Sequence, residues 1–193
     1  MKHFCHKICL VVLACFPYLS ASAYDFTAGG LEFTITSFKD LTVSVDGDVG
    51  FSDKLVIPQT IVYKGRTLTV TSVGDNAFSG TNSLQSVSLP NTILSIGDYA
   101  FSDNINLTEV VLPEQLLKIG KYAFSWTSIK DIKFPSSLTS IGESAFRHTK
   151  LCSIALPDNM EYIPPYCFYN CDSLKSIQWP KRLRSREFGI RIA

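Results

Sequence analysis

Residues 84–101 read LQSVSLPNTILSIGDYAF, and the pattern returns at 107–124 (LTEVVLPEQLLKIGKYAF), 129–146 (IKDIKFPSSLTSIGESAF) and 151–168 (LCSIALPDNMEYIPPYCF). The copies start at Leu84, Leu107, Ile129 and Leu151, in steps of 23, 22 and 22 residues, and a fifth begins 23 residues later at Leu174. A fixed step means one unit copied, which a chain stacks into a solenoid rather than collapsing into a globule. Aligned, the copies give further apolar columns: Val87, Val110, Ile132, Ile154, Ile177; Leu89, Leu112, Phe134, Leu156, Trp179; Ile96, Ile119, Ile141, Ile163; and Phe101, Phe124, Phe146, Phe168. Each column is expected to form one stripe of a shared core.

The period lies in the range of leucine-rich repeats. Pro90, Pro113, Pro135, Pro157 and Pro180 form a column of their own, and a proline inside a central strand removes a ladder hydrogen bond. A short parallel strand is therefore expected around Val87 to Leu89 and its equivalents, ending before the proline and followed by helical or 3-10 turns, in an α/β or mainly β coil. Gly74, Gly97, Gly120 and Gly142 share a column with Pro164. Proline cannot take a positive φ, so close backbone packing explains these glycines better than left-handed geometry. One coil's apolar side chains do not offset the ordering of its backbone, so stacking must supply the remainder.

The 193 residues allow one domain of moderate size. Lys2 and Lys7, the apolar run from Ile8 to Leu19 and the small residues Ala21-Ser22-Ala23 read as a signal peptide over 1–23, too short to span a bilayer. Val12-Leu13-Ala14-Cys15 offers a second route, lipoprotein processing with a lipid on Cys15. Both routes lead out of the cytoplasm, to secretion or the cell surface, with no transmembrane span. Removing 1–23 leaves 16 basic against 17 acidic residues, a balance that points away from nucleic acid. Cys152, Cys167 and Cys171 remain, an odd number that implies no disulfide framework.

Residues 24–67 show period-two alternation (Leu31, Phe33, Ile35; Leu41, Val43, Val45), which reads as strands, with Asp46-Gly47-Asp48 as a turn. Between Pro58 and Val73 stand nine residues more than later copies have, centred on Tyr63-Lys64-Gly65-Arg66. They are expected to insert a β-hairpin into the first coil, so that 24–67 serve as an N-terminal β cap. The repeats occupy 68–183, and a basic tail follows over 184–193. Arg186 stands where isoleucine is due and the closing Gly-x-x-Ala-Phe does not follow. The expected last coil is unfinished, open to self-association through that end.

The run Leu-x-x-Val-x-Leu-Pro-x-x-Ile-x-x-Ile-Gly-x-x-Ala-Phe resembles the BspA-like class of leucine-rich repeat, and Tyr24-Asp25-Phe26 with residues 55–74 (LVIPQTIVYKGRTLTVTSVG) is similar to the start of secreted members from Gram-negative anaerobes. The resemblance implies a non-catalytic exported or surface protein, some relatives being adhesins for host matrix proteins or other bacteria. Many relatives carry cysteine three residues after the Phe, whereas this column reads Thr81, Asn104, Thr127, Thr149 and Cys171.

Two surfaces are candidates for a partner, whether a host matrix protein, a bacterial surface protein or a glycan. The first is the outward grid of the strands, where Glu109, Asp131, Lys133 and Gln178 carry the longer polar groups among serines; a solvated sheet face has the same composition. The second comprises Tyr99, Tyr122 and Tyr166 before the Ala-Phe pair, with Trp126 and His148 two residues after the Phe. Exposed aromatics anchor partners, although tyrosines also pack over the layer below. His148 with Cys152, Cys167 and Cys171 is read as small-residue packing, not as a metal or catalytic site, because no carboxylate or base converges on them. No cofactor is expected. Asp46, Asp48 and Asp53 lack the spacing of a calcium loop.

Overall fold

The computed structural model describes residues 24–48, 50 and 53–186. Residues 1–23, read above as a signal peptide, with Cys15, and the tail beyond residue 186 lie outside the described residues.

Alternating side chains at the start of the described residues produce a meander of β1 (Phe26–Ala28), β2 (Leu31–Ser37) and β3 (Thr42–Asp48), paired antiparallel. Asp46-Gly47-Asp48 is not a turn. These residues end β3, where Gly47 pairs with Glu32 and Asp48 with Leu31. Cross-strand pairing overrides local turn chemistry here. The first coil opens with β4 (Lys54–Val56) and then makes the inserted hairpin of β5 (Thr60–Tyr63) and β6 (Arg66–Val73). Lys64 (φ 49°) and Gly65 (φ 75°) close it, the two positive φ values that a type I′ turn requires.

From there each coil contributes short strands to two parallel ladders. They are β7 (Ser86–Ser88), β8 (Ser95–Ile96), β9 (Glu109–Val111), β10 (Lys118–Ile119), β11 (Ser140–Ile141), β12 (Ser153–Ala155), β13 (Tyr162–Ile163), β14 (Ser176–Gln178) and β15 (Ser185–Arg186). The first ladder runs β4-β7-β9 and resumes as β12-β14; the second runs β3-β6-β8-β10-β11, with β13-β15 beyond. Registers step by whole repeats, Val87 lying beside Val110 and Ile96 beside Ile119.

Three expectations change. Each first-ladder strand ends one residue before Leu89 or its equivalent, so one inward side chain, such as Val87, sits between two outward ones. Residues 131–133 form no strand, which interrupts that ladder at the third copy. Among the described residues there is no α or 3-10 helix: turns replace the helical connections. The reason lies in where the amides go. Asn76, Phe78 and Gly80 donate to the carbonyls of Asp98, Ala100 and Ser102 in the next coil, each at 2.8 Å, rather than back along their own segment.

The apolar columns line one continuous core. Phe101, Phe124, Phe146 and Phe168 are fully buried and stack with Phe78 at centroid spacings of 5.3 to 5.7 Å. Glycine permits this spacing. A Cβ on Gly97 would lie 2.6 Å from the carbonyl carbon of Gly74 and 2.7 Å from Asp75 N, and one on Gly120 would meet Gly97 and Asp98 in the same way. Neither glycine has a positive φ. Close approach between coils is therefore the requirement, as the column shared with Pro164 implies.

Candidate functional site

Parallel registry brings the outward strand residues into two rows. Ser86 lies beside Glu109 and Ser153 beside Ser176; in the other row Ser88 lies beside Val111 and Ala155 beside Gln178. Glu109, Asp131, Lys133 and Gln178 are all exposed, but Asp131 and Lys133 stand where the ladder is interrupted. A shallow open groove marks that place, floored by Val110, Ile132 and Ile154 and edged by Asp131, Lys133 and Ser176.

The second candidate surface is built by unusual backbone. Asn76, Tyr99, Tyr122, Ser144 and Tyr166 hold φ between 53° and 58°, and so, four residues further along each coil, do Asp103, Trp126, His148 and Asn170, between 54° and 59°. Gly80 occupies the same column at 69°. Glycine, asparagine and aspartate tolerate this left-handed region; bulky side chains pay roughly 1–2 kcal/mol for it. Trp126 and His148 therefore stand where the chain elsewhere uses tolerant residues. Their rings stack at 3.8 Å and 16°, and Tyr99 stacks on Tyr122 at 4.9 Å and 4°. Half of the Trp126 surface is exposed.

The stripes meet on one edge. Tyr169, three residues after Tyr166, packs edge-on against it at 5.6 Å and against His148 at 6.4 Å, and the guanidinium of Arg147 lies 5.3 Å above the Tyr169 ring. Asn170 Nδ2 is 3.4 Å from His148 Nε2. Partial burial and the charge of Arg147 push the His148 pKa below its usual 6.5, Lys150 adding to the effect and Asp172 opposing it. Tyr169 and Arg147 were not among the residues the sequence singled out. Their column reads Ser79, Ser102, Ser125, Arg147, Tyr169, and the change from serine to large side chains is the signal that marks them.

Beneath the edge, the column three residues after each Phe supplies hydrogen-bond donors. Thr127 Oγ1 donates to Phe124 O at 2.9 Å, Thr149 Oγ1 to Phe146 O at 3.0 Å, Asn104 Nδ2 to Phe101 O at 2.9 Å and Cys171 Sγ to Phe146 O at 3.1 Å. The residue type varies while the donor is kept, satisfying carbonyls of the buried turn. Cys167 fills the Ala column, and burial raises the pKa of Cys167 and of Cys171, keeping both as thiols. Cys152 is exposed. Among the described residues no group of three or more His, Cys, Asp or Glu side chains is placed to hold a metal ion. No helix among them is long and apolar enough to cross a membrane.

Short parallel strands, a buried phenylalanine spine and a 22- or 23-residue step together define a leucine-rich-repeat solenoid. The chain belongs to the BspA type leucine rich repeat family, whose model matches residues 68–188 in six copies. Among solved structures it is similar to a leucine-rich repeat protein from Bacteroides ovatus, with 29% identity, a TM-score of 0.77 and coverage of 83% of this chain and 42% of that one. It is also similar to the T. pallidum leucine rich repeat protein, with 30% identity, a TM-score of 0.72 and coverage of 81% and 72%. A leucine rich cell surface protein from Faecalibacterium prausnitzii shares the fold at 23% identity and a TM-score of 0.73, covering 86% of this chain and 45% of that one. The chain spans about two fifths of the Bacteroides ovatus protein's length. A search of curated proteins found no match.

Proposed function

We propose that this is a non-catalytic exported binding protein, adhesin-like in its action, which presents its turn edge to a protein or glycan partner. The observation that carries the reading is that Trp126 and His148, bulky and partly exposed, occupy left-handed positions where the same column elsewhere holds glycine, aspartate or asparagine. The stacking such rings gain is offset by left-handed strain, so use in binding gives a reason to keep them. Trp, Tyr and Arg, all present on this edge, are the side chains that most often dominate binding energy. The strand grid around Asp131 and Lys133 is a secondary contact in this reading, and β1–β3 cover the open end of the first coil. Export follows from the signal-like residues 1–23, with cleavage after Ala23 or lipidation at Cys15 as its two forms.

The test is a binding screen of the purified protein against host matrix proteins, bacterial surface proteins and glycans, repeated with Trp126→Ala and Tyr122→Ala. Lost binding with an unchanged melting temperature supports the edge; unchanged affinity in both variants rejects it.

A second reading has its own observation. Ile177, Trp179 and Leu183 are only partly buried, whereas their equivalents Val87, Leu89 and Ile93 are buried. Self-association through the last described coil would cover them. Light scattering across a concentration series separates the readings: a monomer at all concentrations removes the second.

A further inference from the structure

Strand pairing fails at one junction of the solenoid. In the coil that begins at Ile129 the second strand, β11, pairs back to β10, while β12 and β13 of the coil that begins at Leu151 pair only forward, with β14 and β15. Among the described residues no strand bridges these two coils, and residues 131–133 pair with neither β9 nor β12. Two changes in sequence fall at this place. Phe124 to Ile129 and Phe146 to Leu151 are steps of five residues, whereas Phe101 to Leu107 and Phe168 to Leu174 are steps of six. In the second ladder Gly97 N, Gly120 N and Gly142 N donate to Val73 O, Ile96 O and Ile119 O at 2.8 to 2.9 Å; Pro164, next in that column, has no amide to donate to Ile141 O.

The unpaired segment nevertheless has the pattern of a strand. Asp131 and Lys133 are exposed and Ile132 between them packs against the core, the same alternation as in β9 and β12. Cys152 N donates to Lys130 O at 3.0 Å, the bond that Thr108 N makes to Gln85 O and Lys175 N makes to Cys152 O where paired strands begin. Register is therefore set, and the ladder stops just beyond it. Ile132 is left only partly buried, although Val110 and Ile154 in the flanking coils are buried. Pairing the open backbone and covering Ile132 would both favour closure.

We propose that the Ile129 coil is a hinge with two arrangements: an open one, with the groove over Val110, Ile132 and Ile154, and a closed one in which residues 131–133 pair with β9 and β12 and complete the first ladder. The turn flank is the pivot. There Ser144 N, Phe146 N and His148 N donate to Pro165 O, Cys167 O and Tyr169 O at 3.2, 2.9 and 2.9 Å, and Phe146 stacks on Phe168 at 5.7 Å, so the two coils stay joined on that side. The shorter connections and the missing amide of Pro164 hold the strand side apart, against the gain from pairing. Closure removes the groove and brings Asp131 and Lys133 into line with Glu109, Val111, Ser153 and Ala155. A ligand lying across the strand face at this point contacts the two arrangements unequally and so shifts their balance. The hinge itself does not depend on which surface binds.

The experiment is NMR relaxation dispersion, which reads motion between microseconds and milliseconds, with residue-resolved amide exchange on the purified protein. Dispersion is expected at residues 131–133 and in β12, and is expected to be absent from β7, which is paired on both sides. Amides at 131–133 are expected to exchange with solvent roughly tenfold or more faster than those of β7, as locally open segments do. Pro164→Gly restores the residue used in the rest of its column and is expected to slow exchange at 131–133 and reduce the dispersion. Fast exchange without dispersion would mean a fixed gap and overturns the hinge. Exchange as slow as that of β7, dispersion spread evenly over every coil, or a folded Pro164→Gly variant with both readouts unmoved overturns it as well. The wild-type measurements decide the matter even where the variant does not fold.

Discussion

The ring stacks that rise through the same turns differ in burial, backbone and spacing. The phenylalanine spine is fully buried, and its rings repeat every 5.3 to 5.7 Å in ordinary backbone. Two residues to either side, Tyr99 on Tyr122 and Trp126 on His148 stack more closely, at 4.9 and 3.8 Å, yet they are partly exposed and held at left-handed φ. Repetition alone therefore does not distinguish a structural column from a functional one. What distinguishes them is whether each residue is the least costly choice for its backbone: phenylalanine is, in the spine, and tryptophan is not, at the edge.

That contrast is open to direct attack. Phe124→Ala leaves a hole between Phe101 and Phe146 and is expected to cost about 3–5 kcal/mol by urea denaturation; a loss below about 1 kcal/mol would mean that the spine is not what holds the coils together. Gly120→Ala forces a methyl against the backbone of Gly97 and Asp98 and is expected to cost about 1–3 kcal/mol. Trp126→Gly should sit near neutral, within about 1 kcal/mol, because relief of left-handed strain offsets the lost stacking. A fall of more than twice that would show that the edge is structural after all.

The smallest effect concerns acid. Because the His148 pKa is lowered on folding, by partial burial first and then by Arg147, with Lys150 adding and Asp172 opposing, the unfolded chain takes up the proton first as pH falls. Its contribution to stability is complete above the unfolded value and is lost as pH falls through the folded value. Thermal melts across that window should decline more steeply for the wild type than for His148→Asn, whose side chain suits the backbone as Asn170 does. Parallel curves would assign the acid response elsewhere.

Much of the fold was legible because a solenoid writes its geometry as a period. Pro164 in the glycine column revealed that close approach, not positive φ, governed the column, and the nine surplus residues before Val73 revealed the β5–β6 hairpin. Other features have no local signature. The second ladder at Ser95–Ile96 and its equivalents consists of two-residue strands made by neighbouring coils, with no alternation long enough to read. Asp46-Gly47-Asp48 carries turn chemistry and nevertheless pairs as strand. The candidate site was found from its aromatics, but Tyr99 and Trp126 give no hint of left-handed backbone, since they are the side chains least expected there. Arg147 was overlooked because a substitution on a surface column resembles ordinary variation until its place over the Tyr169 ring is seen.

The amides of Asn76, Phe78 and Gly80 donate toward the following coil, as do those of Tyr99, Phe101 and Asp103, and then of Tyr122, Phe124 and Trp126. Peptide dipoles aligned head to tail add, as they do along a helix. This flank of the solenoid consequently has an electrical polarity, negative at its earlier end and positive at its later one, and each coil appended in the same register extends the field rather than cancelling it. Asp75 and Asp98 run against it locally, their carboxylates accepting the amides of Asp98 and Lys121, which point back toward the earlier coil.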